Sequence, residues 1–138
     1  MESGPLTQRI FLVALMAIAS FNASAGWEQV SQSAAGTIYV DPTTITKTGN
    51  RVTMWAMIDY KTIPALKEPY KSFKQHFQFD CEEMAFKVLS REGYSGQMAG
   101  GEPVMTVNEP TQWQIWMPGS VIETFWSTAC KRGVQPQR

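Results

Sequence analysis

His76 is the single histidine of this sequence and the one side chain whose ordinary pKa lies between pH 5 and 8, so acid–base chemistry would centre on it. Ser72 and Asp80 lie four residues to either side of it and would complete a serine–histidine–aspartate set. The surrounding alternation of polar and apolar residues predicts a strand, on which residues four apart are separated by about 13 Å. Since that distance exceeds a hydrogen bond, we expect no catalytic residue here and interpret His76 as solvated, with a metal or heme ligand as the lesser alternative.

The remaining polar motifs do not predict an enzyme or a cofactor site. Glu82 and Glu83 are adjacent and point to opposite faces of an extended chain, so they cannot act as paired carboxylates. One histidine and two cysteines are too few for a structural zinc site. The glycine-rich segment 95–101 has no following lysine and helix, so a mobile loop is favoured over a phosphate-binding loop. We therefore expect no enzyme activity, no metal and no cofactor.

A basic and aromatic segment is the candidate binding patch. It comprises Lys67, Tyr70, Lys71 and Lys74, with Tyr60 nearby. Lysine and tyrosine together can contact a protein partner, whereas lysines alone often protect an exposed strand edge from aggregation. Both interpretations stay open at this point.

Two tryptophans, Trp113 and Trp116, are a second pair of possible interface residues. One of two tryptophans three apart usually packs in the core. Exposed strand edges also leave room for a homodimer formed by sheet extension.

Composition restricts the class of partner. The 138 residues suit one domain, and 12 Lys and Arg residues against 12 Asp and Glu residues give a formal net charge of zero. A neutral chain has no excess positive charge to neutralise phosphates, so we expect a protein partner and no nucleic acid.

The periodicity of the chain predicts mainly strands. Alternation is clearest over 51–60 and over 70–81, where Phe73, Gln75, Phe77, Phe79 and Cys81 share one face. Asp41-Pro42 is expected to end an earlier strand, and Gly49-Asn50 is expected to form a hairpin turn. The other strands are expected at 27–30, 37–41, 84–91, 104–107 and 113–117.

The last element is predicted to be a helix. Ser120 and Glu123 have the spacing of a capping box, and an apolar stripe follows at helical spacing: Ile122, Phe125, Trp126, Ala129 and Cys130. Gly133 is expected at the C-terminal stop. A helix packed by this stripe on the face that carries Cys81 brings the two cysteines together. We therefore predict a Cys81–Cys130 disulfide.

The N-terminus resembles a cleaved secretory signal. The apolar run Ile10–Phe21 would span about 18 Å as a helix, well short of the roughly 30 Å core of a bilayer. Ala23-Ser24-Ala25 then forms a small-residue cleavage site. We predict a signal peptide at residues 1–25, one domain at 26–138, no transmembrane segment in the mature chain and an exported product in which a disulfide persists.

The order of several short sequence motifs resembles that of the surface-adhesin protein E family of Gram-negative bacteria. These motifs are Tyr39-Val40-Asp41-Pro42, Gly49-Asn50, Trp55 to Asp59-Tyr60, Tyr70-Lys71-Ser72, Asp80-Cys81, Tyr94-Ser95-Gly96, Trp113, Pro118-Gly119-Ser120 and Cys130. The resemblance implies an α+β fold, in which a single antiparallel sheet of about six strands carries a C-terminal helix on one face, tied by a disulfide. The same fold follows from the periodicity of the residues.

The resemblance also implies a function. The family takes its name from an adhesin that binds host matrix and plasma proteins, so we expect a non-enzymatic exported binding domain. Only Cys81 and Cys130 are present, so no cysteine follows the signal for lipid attachment. A location in the periplasm, at the cell surface or outside the cell is therefore expected. The alternative function is that of a periplasmic envelope-accessory protein or small inhibitor.

Overall fold

The structure, a computed structural model, describes residues 26–61 and 69–134, with Val134 described by its backbone alone. The predicted signal peptide lies outside the described residues, and so does Lys67 of the basic patch.

Seven strands and one helix make up the described chain. They are β1 (Glu28–Gln32), β2 (Gly36–Thr48), β3 (Arg51–Tyr60), β4 (Ser72–Asp80), β5 (Ala85–Tyr94), β6 (Pro103–Val107), β7 (Gln114–Ile115) and α1 (Val121–Val134). Strands β1 to β6 form one antiparallel sheet in chain order, and the two-residue β7 pairs with the start of β5, whose other end pairs with β6. The predicted sheet of about six strands with a C-terminal helix is confirmed.

The sheet has two chemically different faces. In the β3–β4 register, Met54 lies opposite Phe77 and Val52 opposite Phe79, while Trp55 lies opposite His76. Because side chains alternate along a strand, the first two pairs share one face and the third pair lies on the other. We call the first the helix face, since α1 packs on it, and the second the open face.

Aromatic rings fill the space between α1 and the helix face. Phe77 is 1% exposed, and its ring centroid lies 5.5 Å from that of Phe79, 6.2 Å from Phe86 and 5.4 Å from Phe125 of the helix. Ala129 is fully buried one helical turn further on. The predicted apolar stripe therefore forms the contact between α1 and the sheet.

Hydrogen bonds and a close approach fix the two ends of α1. At its start, the Glu123 amide donates to Ser120 Oγ (3.4 Å), while Glu123 Oε2 accepts from the amide of Gly119 (2.6 Å), one residue earlier than in a standard capping box. The predicted stop at Gly133 is wrong, because the helix continues to Val134. A Cβ on Gly133 would lie 3.3 Å from Val52 Cγ2, so this glycine lets the last turn approach the sheet closely.

Three links tie α1 to the strands. Cys81 and Cys130 form the predicted disulfide, with their Cα atoms 5.6 Å apart. Trp126 Nε1 donates to the Asp80 carbonyl (2.9 Å), next to that bridge. At the far end of the helix, the Arg132 guanidinium donates to both carboxylate oxygens of Glu28 in β1, at 3.1 and 2.9 Å.

The expected end of a strand at Asp41-Pro42 is also wrong. Strand β2 runs through it to Thr48, with an irregular register between Asp41 and Thr46. The Asp41 carboxylate accepts from both the amide and the hydroxyl of Thr43. Thr44 Oγ1 donates to the Asp41 carbonyl (2.6 Å) and accepts from the Trp55 amide of β3 (3.0 Å). These side chains replace strand hydrogen bonds around a proline that has no N–H to donate.

Thr44→Val is expected to lower the free energy of unfolding by about 1–3 kcal/mol, because it leaves the Trp55 amide and the Asp41 carbonyl without their shared partner. Urea unfolding followed by circular dichroism measures the change. Thr46→Val is the matched control: Thr46 is exposed, and its hydroxyl makes only a 3.4 Å contact with the Thr44 carbonyl, so a change within about 0.5 kcal/mol is expected. Equal losses in the two variants would contradict this account of the bulge.

Candidate binding surface on the open face

The described residues of the predicted basic patch are divided between the two faces. Lys74 alternates with Phe73 on β4 and so lies on the open face. Tyr70 stacks on Phe73, with ring centroids 5.3 Å apart, and a Cβ on Gly93 would lie 2.7 Å from its ring. Tyr70 therefore covers Gly93 on the side of the helix face. Lys71 is exposed between them, and the structure does not bring the three side chains together on one surface.

On the open face, Lys74 belongs to a central cluster of five residues: Trp55, Lys74, His76, Glu92 and Tyr94. The Trp55 and His76 rings stack as a cross-strand pair, with centroids 4.6 Å apart and planes inclined by 4°. Lys74 Nζ lies 4.5 Å from the Trp55 centroid and 5.8 Å from that of Tyr94. Such distances are typical of cation–π contacts.

Glu92 balances the charge of the central cluster. Its Oε2 accepts from the Tyr94 hydroxyl (2.6 Å) and lies 3.7 Å from Lys74 Nζ. The hydrogen bond to Glu92, with burial and the charge of Glu92 adding to it, raises the pKa of Tyr94 to about 12. Tyr94 thus stays protonated as a donor across the physiological range. The cluster presents aromatic rings and a lysine ammonium that is paired with the Glu92 carboxylate.

His76 is partly buried in this cluster, which changes its acid–base behaviour. Burial, and then the positive charge of Lys74, lower the pKa of His76 from its ordinary 6.5. The predicted solvated histidine is therefore a stacked one. It has neither Ser72 nor Asp80 as a partner: Ser72 Oγ donates to the Gly96 carbonyl and accepts from the Ala99 amide, and Asp80 Oδ1 accepts from the amides of Glu82 and Glu83.

Stability is expected to fall as the pH drops through His76's titration range. Because the pKa of His76 is lower in the folded protein than in the unfolded chain, the unfolded chain binds the proton more readily. The loss begins near pH 6.5 and continues down to the folded-state pKa. Urea midpoints between pH 5.5 and 7.5 measure it, and NMR titration of the single histidine gives the folded-state pKa directly. His76→Gln should flatten the profile in this window; an unchanged profile would contradict the assignment.

A second cluster, the edge cluster of Arg51, Lys87 and Trp113, lies where the open face meets β7. The centroid of the Trp113 ring lies 4.9 Å from Arg51 Cζ and 5.1 Å from Lys87 Nζ. Gln114 pairs with Phe86, and continuing this register by one residue places Trp113 opposite Lys87. Trp113 is 36% exposed, whereas Trp116 is 6% exposed and packs 5.1 Å from Trp126. One tryptophan of the pair serves the core and the other lies at the surface.

Sequence reasoning missed Trp55, Arg51 and Lys87 as surface residues. Each is separated by more than 20 residues from a partner that gives it a role, and only the strand register joins them. The alternation over 51–60 does place Trp55 opposite to the core residues of β3, which was the available signal.

Within the described ranges, no three histidine, cysteine, aspartate or glutamate side chains come together as candidate metal ligands. In the same part of the chain, none of the helices has the length and apolar character needed to cross a bilayer.

Known proteins resemble this chain in sequence and in fold. The family model described as surface-adhesin protein E matches residues 27–131. Two solved structures of Haemophilus influenzae protein E superpose with TM-scores of 0.63 and 0.61 at 13% and 14% identity, covering 83% and 84% of this chain and 94% and 92% of theirs. A structure of protein E from non-typeable H. influenzae gives 0.54 at 14% identity, covering 80% and 78%. A search of curated proteins finds no match. At these identities the structures support the fold.

Proposed function

The chain belongs to the surface-adhesin protein E family, and from that membership we propose that it is an exported, non-enzymatic binding domain whose ligands are host matrix or plasma proteins. The proposed site is the open face, which α1 leaves uncovered. Of the basic patch, Lys74 lies on this face. Lys67, Tyr70 and Lys71 stay candidate partner contacts on the ground of the sequence alone.

The composition of the open face carries the proposal. Its two clusters contain tryptophan, tyrosine and arginine, which are the residue types enriched in the hot spots that contribute most of the binding energy of protein interfaces. Their side chains are fixed by stacking and by the Tyr94–Glu92 hydrogen bond. A surface held in this way loses little conformational entropy on binding, which favours affinity for a folded protein.

A periplasmic accessory or inhibitor protein is the second candidate. Cys81 and Cys130 are bonded to each other, so neither is available for lipid attachment. This observation favours a periplasmic location as much as a surface one.

Location and binding are tested separately. Fractionation of the producing cells, together with proteinase treatment of intact cells, distinguishes a surface protein from a periplasmic one. Immobilised protein, purified from a bacterial periplasm after expression of the full chain, is then exposed to fibronectin, laminin, vitronectin and plasminogen. Saturable binding to at least one of them, lost after reduction and denaturation, is expected. No saturable binding on this panel would overturn the adhesin function, and inhibition of lysozyme would favour the second candidate.

The homodimer stays a prediction. Sedimentation velocity of the same preparation at several concentrations tests it.

A further inference from the structure

We propose that the edge of the sheet at residues 113–117, together with Arg51 and Lys87, docks an extended acidic segment of a protein partner that also carries apolar side chains. We call this the edge surface. The inference rests on the proposed protein-binding function and names the part of the open face that recognises the partner and the chemistry that it recognises.

Three large apolar side chains of the edge surface are exposed. Ile115 is 71% and Met117 70% exposed, with Trp113 at 36%, whereas Trp116 between them is 6% exposed. Gln114 is exposed as well, so four of the five side chains of 113–117 lie at the surface while Trp116 anchors the segment in the core. Three large apolar side chains in a row at one sheet margin are typical of a surface that a partner covers.

The two cations of the edge surface form no ion pair within the described residues. Asp80 lies opposite Arg51 in the β3–β4 register, but its Oδ1 accepts from the amides of Glu82 and Glu83. The ion pairs of the described chain join Lys74 to Glu92 and Arg132 to Glu28, and neither includes Arg51 or Lys87. Both cations instead lie within about 5 Å of the centroid of the Trp113 ring. An incoming carboxylate would meet two positive charges that need not leave another acid, so charge complementarity selects an acidic segment.

The backbone at the edge surface favours an extended ligand. Strand β7 pairs with β5 on one side, and within the described residues no strand lies on its other side. A peptide added to this free edge would gain main-chain hydrogen bonds and place alternate side chains beside Ile115 and Met117.

The position of two acids argues for a peptide over an anionic membrane. Glu82 and Glu83 are exposed in the turn before Met84, whose carbonyl accepts from the Trp116 amide. The same turn follows Asp80, which lies opposite Arg51 in β3, so these carboxylates adjoin the cations as well as the Met117 end of the apolar row. They would repel a uniformly anionic lipid surface, whereas a peptide can place its acids beside the cations alone.

Selection from a display library of random nine-residue peptides, with the oxidised full-chain product as bait, tests the proposal. Selected peptides are expected to combine aspartate or glutamate with alternating apolar residues. Fluorescence anisotropy of the best peptide should show binding that weakens with salt. Arg51→Gln combined with Lys87→Gln is expected to weaken it about tenfold or more, since charge-assisted hydrogen bonds are lost. Lys61→Gln with Lys131→Gln, two exposed lysines elsewhere, should leave it unchanged.

Ile115→Ser is expected to weaken binding of the same peptide. The protein should stay folded, because Ile115 is largely exposed. The proposal is overturned if selection yields no peptide or basic peptides, or if the Arg51/Lys87 variant binds as the wild type does. It is also overturned if vesicles of phosphatidylglycerol bind the wild type and the peptide does not. A third contrary outcome is that the wild type dimerises through Ile115, so that the peptide binds only the monomeric Ile115→Ser variant.

Failure of this inference differs from failure of the proposed function. A matrix or plasma protein that binds the wild type and the Arg51/Lys87 variant equally leaves the proposed function standing and removes the edge surface. Acidic peptides that bind the edge surface while no panel protein binds remove the adhesin function and retain the docking site.

Discussion

Replacing Cys81 and Cys130 by alanine together is expected to lower the free energy of unfolding by about 4 kcal/mol, the chain-entropy value for a loop of this length. The bridge closes a loop of 49 residues between the end of β4 and the second half of α1. The cross-link lowers the conformational entropy of the unfolded chain and so raises its free energy relative to the folded protein. Since small domains are stable by about 5–15 kcal/mol, the loss is a large share of the total.

The reduced wild-type protein is the control that separates the cross-link from packing. It keeps both sulfur atoms, so its loss of stability reports the bond alone, while the double variant adds the small cavity left in the helix-face core. Urea unfolding in the presence and absence of a reductant measures both values. A reduced protein within about 1 kcal/mol of the oxidised one would contradict the entropic argument.

Phe77→Ala is expected to cost about 3–5 kcal/mol, which makes it the largest single-residue effect in the helix-face core. Phe77 is 1% exposed and contacts the rings of Phe79, Phe86 and Phe125, so it joins two strands to the helix. Truncation leaves a cavity between elements held apart by the remaining rings and by the disulfide, which limits collapse. Combined with reduction of the bridge, the variant should fail to fold cooperatively.

Ile115→Ala is the matched control for Phe77→Ala, because it truncates a large apolar side chain of the same sheet that is 71% exposed. A change within about 0.5 kcal/mol is expected. Urea unfolding monitored by tryptophan fluorescence compares the two. A loss below about 1.5 kcal/mol for Phe77→Ala would mean that the core closes around the gap.

The elements of this fold could be predicted because their signals are local. Period-two alternation over 51–60 and 70–81, and the 3.6-residue stripe of α1, are each carried by one segment, and together they place Cys81 and Cys130 on facing surfaces. The strand end expected at Asp41-Pro42 failed because Thr43 and Thr44 supply hydrogen bonds that no propensity rule includes.

The candidate site could be predicted only in part, because its contacts depend on register. The spacing of Tyr70, Lys71 and Lys74 gives no indication that Tyr70 folds over Gly93 while Lys74 turns to the other face. Stacking of Trp55 on His76 requires the β3–β4 alignment, and the Arg51–Trp113 contact crosses 62 positions of sequence. Local patterns assign a face to each residue, but they do not say which residues meet there.

The place of α1 at the end of the chain sets the order in which the protein can mature. Strands pair with their neighbours in sequence, so successive hairpins can form while the chain is still being delivered. Val40, Val52 and Met54, however, are buried in one cluster with Phe125, Ala129 and Cys130 of α1, so their burial is complete only when the helix has packed. In a chain that emerges N-terminus first, the apolar side chains of the helix face therefore stay exposed until the final segment arrives. Because Cys130 belongs to that segment, the Cys81–Cys130 bond can form only after it has arrived.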